Sequence, residues 1–222
     1  MRDYFEAVLI AVMFALFVRT FVVQAYRIPT PSMENTVLVG DHLLVNKFAY
    51  ASAPTMVGNQ ILPFRDIRRG DVIVFKFPDE PEKDYIKRVI GLPRETVKLV
   101  DGEVYIKEEG SAEFMKLEEP YAVHKYPQYF PAPYDNFGPL TIAENHYFAM
   151  GDNRDDSRDS RDWGLVPRDH IRGKAFLIYW SYELETNTRP AHAFSHRIAR
   201  SLKNVGNLFS RTRWDRTIKV IR

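Results

Sequence analysis

The sequence predicts a mainly β fold behind a single N-terminal apolar helix, and three observations carry that expectation. Residues 7–23, AVLIAVMFALFVRTFVV, are apolar except for Arg19 and Thr20. From residue 26 to 100, short β-rich runs alternate with turn residues, and helical periodicity is scarce. With 222 residues, 45% apolar and 27% charged, the chain has ordinary globular composition. That suffices for one substantial domain, and it excludes general disorder and a polytopic membrane protein.

In chain order, residues 1–25 are expected to form a tail and a transmembrane helix. As a helix, 7–23 reaches about 25 Å against a hydrocarbon core of roughly 30 Å, so it just spans. Arg19 lies near its end, where its stem snorkels to the interface, and Tyr4, Phe5 and Tyr26 suit the aromatic belts. A cleaved signal peptide is the competing reading, because 7–18 has the length of an h-region. Against it, Arg2 is offset by Asp3 and Glu6, and no small-x-small site precedes Tyr26. A buried core helix fits poorly with a segment apolar on every face. The flanking charges leave the orientation of the span open.

Residues 26–107 read as the first part of a β core. HLLVN, DVIVFKF, YIKRVI and TVKLV are punctuated by Val39-Gly40-Asp41, Arg69-Gly70-Asp71, Gly91-Leu92-Pro93 and Asp101-Gly102. The last pair, between VKLV and EVYI, predicts a two-residue type I′ hairpin, since both positions tolerate positive φ. Residues 108–140 lose all periodicity and collect KYPQYFPAPYDN, so a variable surface insert is expected there. The β pattern resumes at 145–150 and again at AFLIYW, making 141–185 the second part of the core.

Residues 186–222 form a separate electrostatic object, with nine Lys/Arg and one Asp in a chain whose net charge is only +2. Ile198, Leu202, Val205 and Leu208 recur at helical spacing among basic residues. The expectation is a basic amphipathic C-terminal helix on anionic headgroups, with a solvated tail as the alternative. Nucleic acid is not expected as a partner. The absence of Cys removes thiol nucleophiles, disulfides and Cys-ligated zinc together.

Three segments have the makings of chemistry. Just past the apolar run, Ile28-Pro29-Thr30-Pro31-Ser32-Met33 holds a serine in a stiff, non-helical stretch, because two prolines fix φ on either side of Thr30. Lys87, in Asp84-Tyr85-Ile86-Lys87-Arg88-Val89-Ile90, lies in a strand pattern that it shares with Tyr85 and Val89. If buried there, its amine is driven toward the neutral form and becomes a general base; on a solvated face it does nothing of the kind. The run from Gly151 to Gly164, GDNRDDSRDSRDWG, crowds Asp and Arg in a pattern suited to bidentate ion pairs. A calcium loop is disfavoured by the arginines, and a solvated turn is the remaining alternative.

Together and in this order, these segments resemble the boxes of the bacterial type I signal peptidases, membrane-anchored Ser/Lys serine endopeptidases. The resemblance runs from the apolar segment to about Trp180. Pro31-Ser32-Met33 resembles the nucleophile box, Arg69-Gly70-Asp71-Val72 a structural strand box, Tyr85 to Gly91 the general-base box, and Gly151 to Gly164 the last. The resemblance implies Ser32 as nucleophile, Lys87 as base, Ser157 as the residue orienting the lysine, and Thr30 with the Ser32 N–H as the oxyanion hole. It further implies Ile28, Met33, Val37 and Ile86 as linings of pockets for small side chains, hence Ala-x-Ala cleavage sites. Asp152, Arg154, Asp159 and Arg161 would be structural supports.

The implied fold is a catalytic domain of coiled antiparallel sheets with an inserted variable subdomain. The implied partners are signal peptides of exported preproteins, the lipid bilayer and the neighbourhood of the export translocon. The implied placement is a single-pass inner-membrane protein with its catalytic domain on the outer face. No metal and no organic cofactor is expected. Self-cleaving Ser/Lys repressors share the dyad, but their DNA-binding domain and internal Ala-Gly site do not occur in this sequence. A Ser/His/Asp hydrolase lacks its Gly-x-Ser-x-Gly elbow here, and a purely binding β module would leave the four boxes unexplained.

Overall fold

The computed structural model describes residues 2–50, 65–125, 135–183 and 209–221. Its strands, in chain order, are β1 (Val23–Arg27), β2 (Asp41–Asn46), β3 (Val72–Lys76), β4 (Asp84–Gly91), β5 (Thr96–Val100), β6 (Glu103–Lys107), β7 (Met115–Lys116), β8 (Phe137–Thr141), β9 (His146–Met150), β10 (Val166–Pro167), β11 (Ile171–Ser181) and β12 (Lys219–Val220). The larger sheet runs β1-β2-β11-β3-β4-β9-β10, with β12 on β11, and the smaller runs β7-β6-β5-β8. All these pairings are antiparallel, so the mainly β expectation holds.

Local sequence explains much of this. Asp101 and Gly102 take φ values of 50° and 80°, and Val100 pairs directly with Glu103, the expected two-residue hairpin. β11 loses register against its neighbours near 172, 176 and 179, and such bulges bend a sheet and tighten its twist, which curls the larger sheet. At Gly173 a Cβ would stand 2.3 Å from the Asn46 carbonyl oxygen, so only glycine permits that approach of β11 to β2.

The central strands are buried on both faces. Val72, Val74 and Ile86 pack with Ile28, Met33 and Val37, while Ile73, Phe75 and Val89 belong to a second apolar cluster. Residues directly opposed in an antiparallel pair share a face. Ile73 opposes Lys87 and Val72 opposes Arg88, so the lysine stands on the second cluster's side and the arginine on the first.

The N-terminus differs in detail from one straight helix over 7–23. Helix α1 (Arg2–Phe17) gives way to a single π-helical turn over Val18–Val22, closed by Val23 N–H donating to the Val18 carbonyl. The Thr20 carbonyl is taken by Lys47 Nζ at 2.8 Å, a tie to the sheet that a continuing α-helix would compete with. Among the described residues no helix is long and apolar enough to cross a membrane. The large side chains of α1 from Tyr4 to Phe17 are nonetheless exposed all round it.

The C-terminal expectation divides. Ile198, Leu202, Val205 and Leu208 lie outside the described residues. Residues 212–221 form not a helix but a clasp: a 3-10 turn over Trp214–Arg216 leads into β12, and Ile221 is buried in the first cluster. The cause is electrostatic. Asp41 is fully buried, and the Arg216 guanidinium meets it at 2.7 Å while also donating to the Thr36 carbonyl at 2.9 Å. A buried carboxylate requires such a partner, and Arg216 brings its segment with it.

Candidate active site

Ser32 sits in a turn that its own backbone closes, with Glu34 N–H donating to the Pro31 carbonyl and Val37 N–H to that of Met33. A second element holds the turn in place. Asn153 donates its backbone N–H to the Ser32 carbonyl and its side-chain amide to the Pro31 carbonyl, both at 3.2 Å. The serine is thereby aimed at β4. Lys87 Nζ lies 2.6 Å from Ser32 Oγ, and the two side chains belong to residues only 3% and 8% exposed.

Burial decides the charge of that amine. Removing the ammonium from water lowers the Lys87 pKa from 10.5 to about 8; the Asp159 and Asp152 carboxylates pull it back up, and Arg161 pushes it down. Those carboxylates raise it only partly because each is already committed to an arginine. Arg88 grips Asp152 with two hydrogen bonds of 2.8 and 2.7 Å, and Arg161 grips Asp159 with two of 2.8 and 2.9 Å. Arg154 does the same to Glu119 at 2.7 and 2.6 Å. Beside these matched pairs, Lys87 has no carboxylate partner of its own among the described residues.

The knot also builds the site mechanically. Thr36 Oγ1 donates to Asp152 and accepts from Arg88 at 3.0 Å, which ties the serine turn to β4. Asp159 accepts the Gly151 N–H at 3.0 Å, and Arg161 donates to the Arg154 carbonyl at 2.7 Å. At Gly151 a Cβ would lie 2.2 Å from Ser157 Oγ and 2.3 Å from the Ser32 carbonyl oxygen, so this glycine is what lets the two serine segments meet. Ser157 Oγ itself is buried and finds no hydrogen-bond partner among the described residues.

A cleft of about 310 Å³ opens on the pair and is lined by Pro29, Thr30, Ser32, Ile86, Lys87 and Asp156, among others. Of the predicted pocket residues Ile86 lines it, while Ile28, Met33 and Val37 are buried in the core cluster that Ile86 joins. Among the described residues no group of His, Cys, Asp or Glu is placed to hold a metal ion.

A family model described as "Signal peptidase, peptidase S26" matches residues 1–180 of this sequence. The chain belongs to the signal peptidase family. It is a serine peptidase of that family, and its activity is the cleavage of signal peptides. It is 38% identical over 195 residues to the signal peptidase I of Pseudomonas aeruginosa, covering 75% of this chain and 68% of that one. It is 32% identical over 240 residues to the signal peptidase I of Aquifex aeolicus, covering 85% and 88%. A crystal structure of a signal peptidase I from Enterococcus faecalis V583 shares 32% identity at a TM-score of 0.39, covering 50% of this chain and 97% of that one.

Three residues of the peptidase's site were not singled out from sequence. Arg88 is as buried as the lysine beside it, Thr36 links turn to strand, and Glu119 holds Arg154 from within the insert. Only Arg88 carried a signal, as an arginine inside an otherwise apolar strand.

Proposed function

We propose that the peptidase cleaves through Ser32 as nucleophile and Lys87 as general base. The observation that carries this reading is the 2.6 Å contact between Ser32 Oγ and a Lys87 amine shielded from water. Neutral Nζ takes the hydroxyl proton as Oγ attacks the scissile carbonyl carbon. The resulting oxyanion is met by the Ser32 N–H and the Thr30 hydroxyl; removing one such donor typically costs about 10²- to 10³-fold in rate. Collapse breaks the C–N bond, the proton passes from Lys87 to the leaving amine, and the lysine then deprotonates the water that hydrolyses the acyl-enzyme. Ser157, with its unpaired hydroxyl, accepts from the ammonium that Lys87 transiently becomes and keeps it aligned.

Preference for small residues follows from the cleft wall. Ile86 lines it, with Ile28, Met33 and Val37 packed in the same buried cluster, and such an apolar wall favours small apolar side chains. We further propose that the apolar helix α1 lies in the bilayer with the catalytic domain on the outer face. Support comes from the exposed apolar surface around α1, too large for a soluble monomer. The substrate's own apolar segment occupies the same bilayer, so tethering turns encounter into a two-dimensional search at high effective concentration.

Ser32→Ala and Lys87→Ala should each abolish cleavage of a purified preprotein in detergent while leaving the far-UV circular dichroism unchanged. Ordinary turnover by either variant removes the dyad.

A further inference from the structure

Besides Tyr85, four ionisable side chains line the cleft, and three of them are already engaged. Lys87 is buried against Ser32 Oγ, with Nζ 2.6 Å away. Asp84 accepts from the Tyr26 hydroxyl at 3.0 Å and lies 3.5 Å from Arg172. Arg158 is paired with Asp162 at 2.5 Å and stacks over the Phe77 ring. The fourth, Asp156, is exposed, and among the described residues its carboxylate has neither a hydrogen bond nor an ion pair.

Its position is fixed all the same. Asp156 closes the 3-10 turn Arg154–Asp156, whose N–H at 156 donates to the Asn153 carbonyl at 3.2 Å. The turn is clamped on one side by buried Arg154 and its two bonds to Glu119, and on the other by buried Ser157. An unpaired anion on a rigid turn, in the cleft that holds the reacting pair, acts on whatever substrate side chain passes it.

We propose that Asp156 is a specificity residue that selects a cationic side chain, and rejects an anionic one, at one substrate position beside the scissile bond. The proposal rests on Ser32 and Lys87 marking where the substrate lies. The small-residue pockets exclude a lysine at the positions they bind, so the charged position is one whose side chain points out of them, along the cleft rim. A unit charge about 4 Å from a carboxylate in water-like surroundings gains roughly fivefold, and a like charge loses about as much. After screening at 0.1 M salt, where the Debye length is about 10 Å, a preference of about tenfold for Lys over Glu remains.

The test uses the full chain in detergent and a preprotein series with Lys, Gln or Glu at each position flanking the cleavage site, apart from the two small ones. The readout is the Lys-to-Glu ratio of kcat/KM. At one position the ratio should be about tenfold, shrink toward unity at 0.5 M salt, fall to about twofold or less in Asp156→Asn, and invert in Asp156→Lys. A turn residue with a merely structural role lowers activity on every substrate alike and moves no ratio. The proposal is overturned if no position shows a charge preference, or if the preference survives unchanged in both variants. Because ratios are read in active enzyme, that result leaves the Ser32–Lys87 reading untouched, whereas activity surviving in Ser32→Ala removes the dyad itself.

Discussion

Changing pH should switch the base on over a window set by burial. With a pKa of about 8, roughly a tenth of the Lys87 amine is neutral at pH 7 and about a hundredth at pH 6. At the unperturbed value of 10.5 the neutral fraction at pH 7 would be about 300-fold smaller. Accordingly, kcat/KM for a preprotein in detergent should rise about tenfold per pH unit at the acid end, bend near pH 8 and level off above about pH 9. The same shift has a stability consequence of definite sign. The folded pKa lies below the unfolded one, so between about pH 8 and 10.5 the unfolded chain binds more protons and stability rises with pH. Below pH 8 the full cost of burying the ammonium is present, on the order of 3 kcal/mol at about 1.4 kcal/mol per unit. Lys87→Met should remove that cost, stabilising the fold at pH 7 and flattening the pH 8–10.5 limb of urea midpoints. An activity inflection at pH 10 or above, together with a Lys87→Met protein less stable than the parent, would show that burial does not lower the amine's pKa.

Three further outcomes are expected. Gly151→Ala should lower kcat by about a hundredfold or more, since its Cβ would overlap the Ser32 carbonyl and Ser157 Oγ, and displacements of about 1 Å cost that much; steady-state kinetics with a thermal melt to control for folding checks it. Arg216→Ala should destabilise by about 3 kcal/mol by leaving buried Asp41 with only the Leu38 N–H and the more distant Arg213, and Arg216→Ala/Asp41→Asn should recover part of the loss, read from denaturant midpoints. Burial would raise the Asp71 pKa, but bonds from Arg65, Lys174, the Arg68 amide and Tyr50 bring it down to about 2. Its stabilisation is therefore complete above about pH 4 and lost as pH falls through about 2, so Asp71→Asn should flatten that part of an acid-unfolding curve.

What the sequence disclosed was mostly local. Asp101-Gly102 needed only its own two residues to specify a hairpin, and the Pro-Thr-Pro-Ser stretch announced a stiff serine by itself. Lys87 was visible as a candidate, but its meeting with a serine 55 positions away depends on the sheet order and could be expected only through the family resemblance. Arg88 alternates with Lys87 along the strand, and nothing local marks it as the partner of Asp152, 64 positions on. Glu119 was illegible because its surroundings have no periodicity and its partner, Arg154, lies 35 positions later. The basic composition after residue 186 suggested an amphipathic helix on anionic headgroups, yet Arg216 among those residues is buried against an acid on β2.

The clasp at 212–221 sets an order of events. Thr36 offers its carbonyl to Arg216 and its hydroxyl to Asp152, so the serine turn is braced from a segment synthesised after everything it supports. A nascent or prematurely terminated chain that stops short of Arg216 carries both reacting groups but lacks the strut that squares them. Truncation before Arg216 should therefore lower activity with Ser32 and Lys87 both still in place, because the brace on the serine turn comes from outside the sheet that presents the lysine.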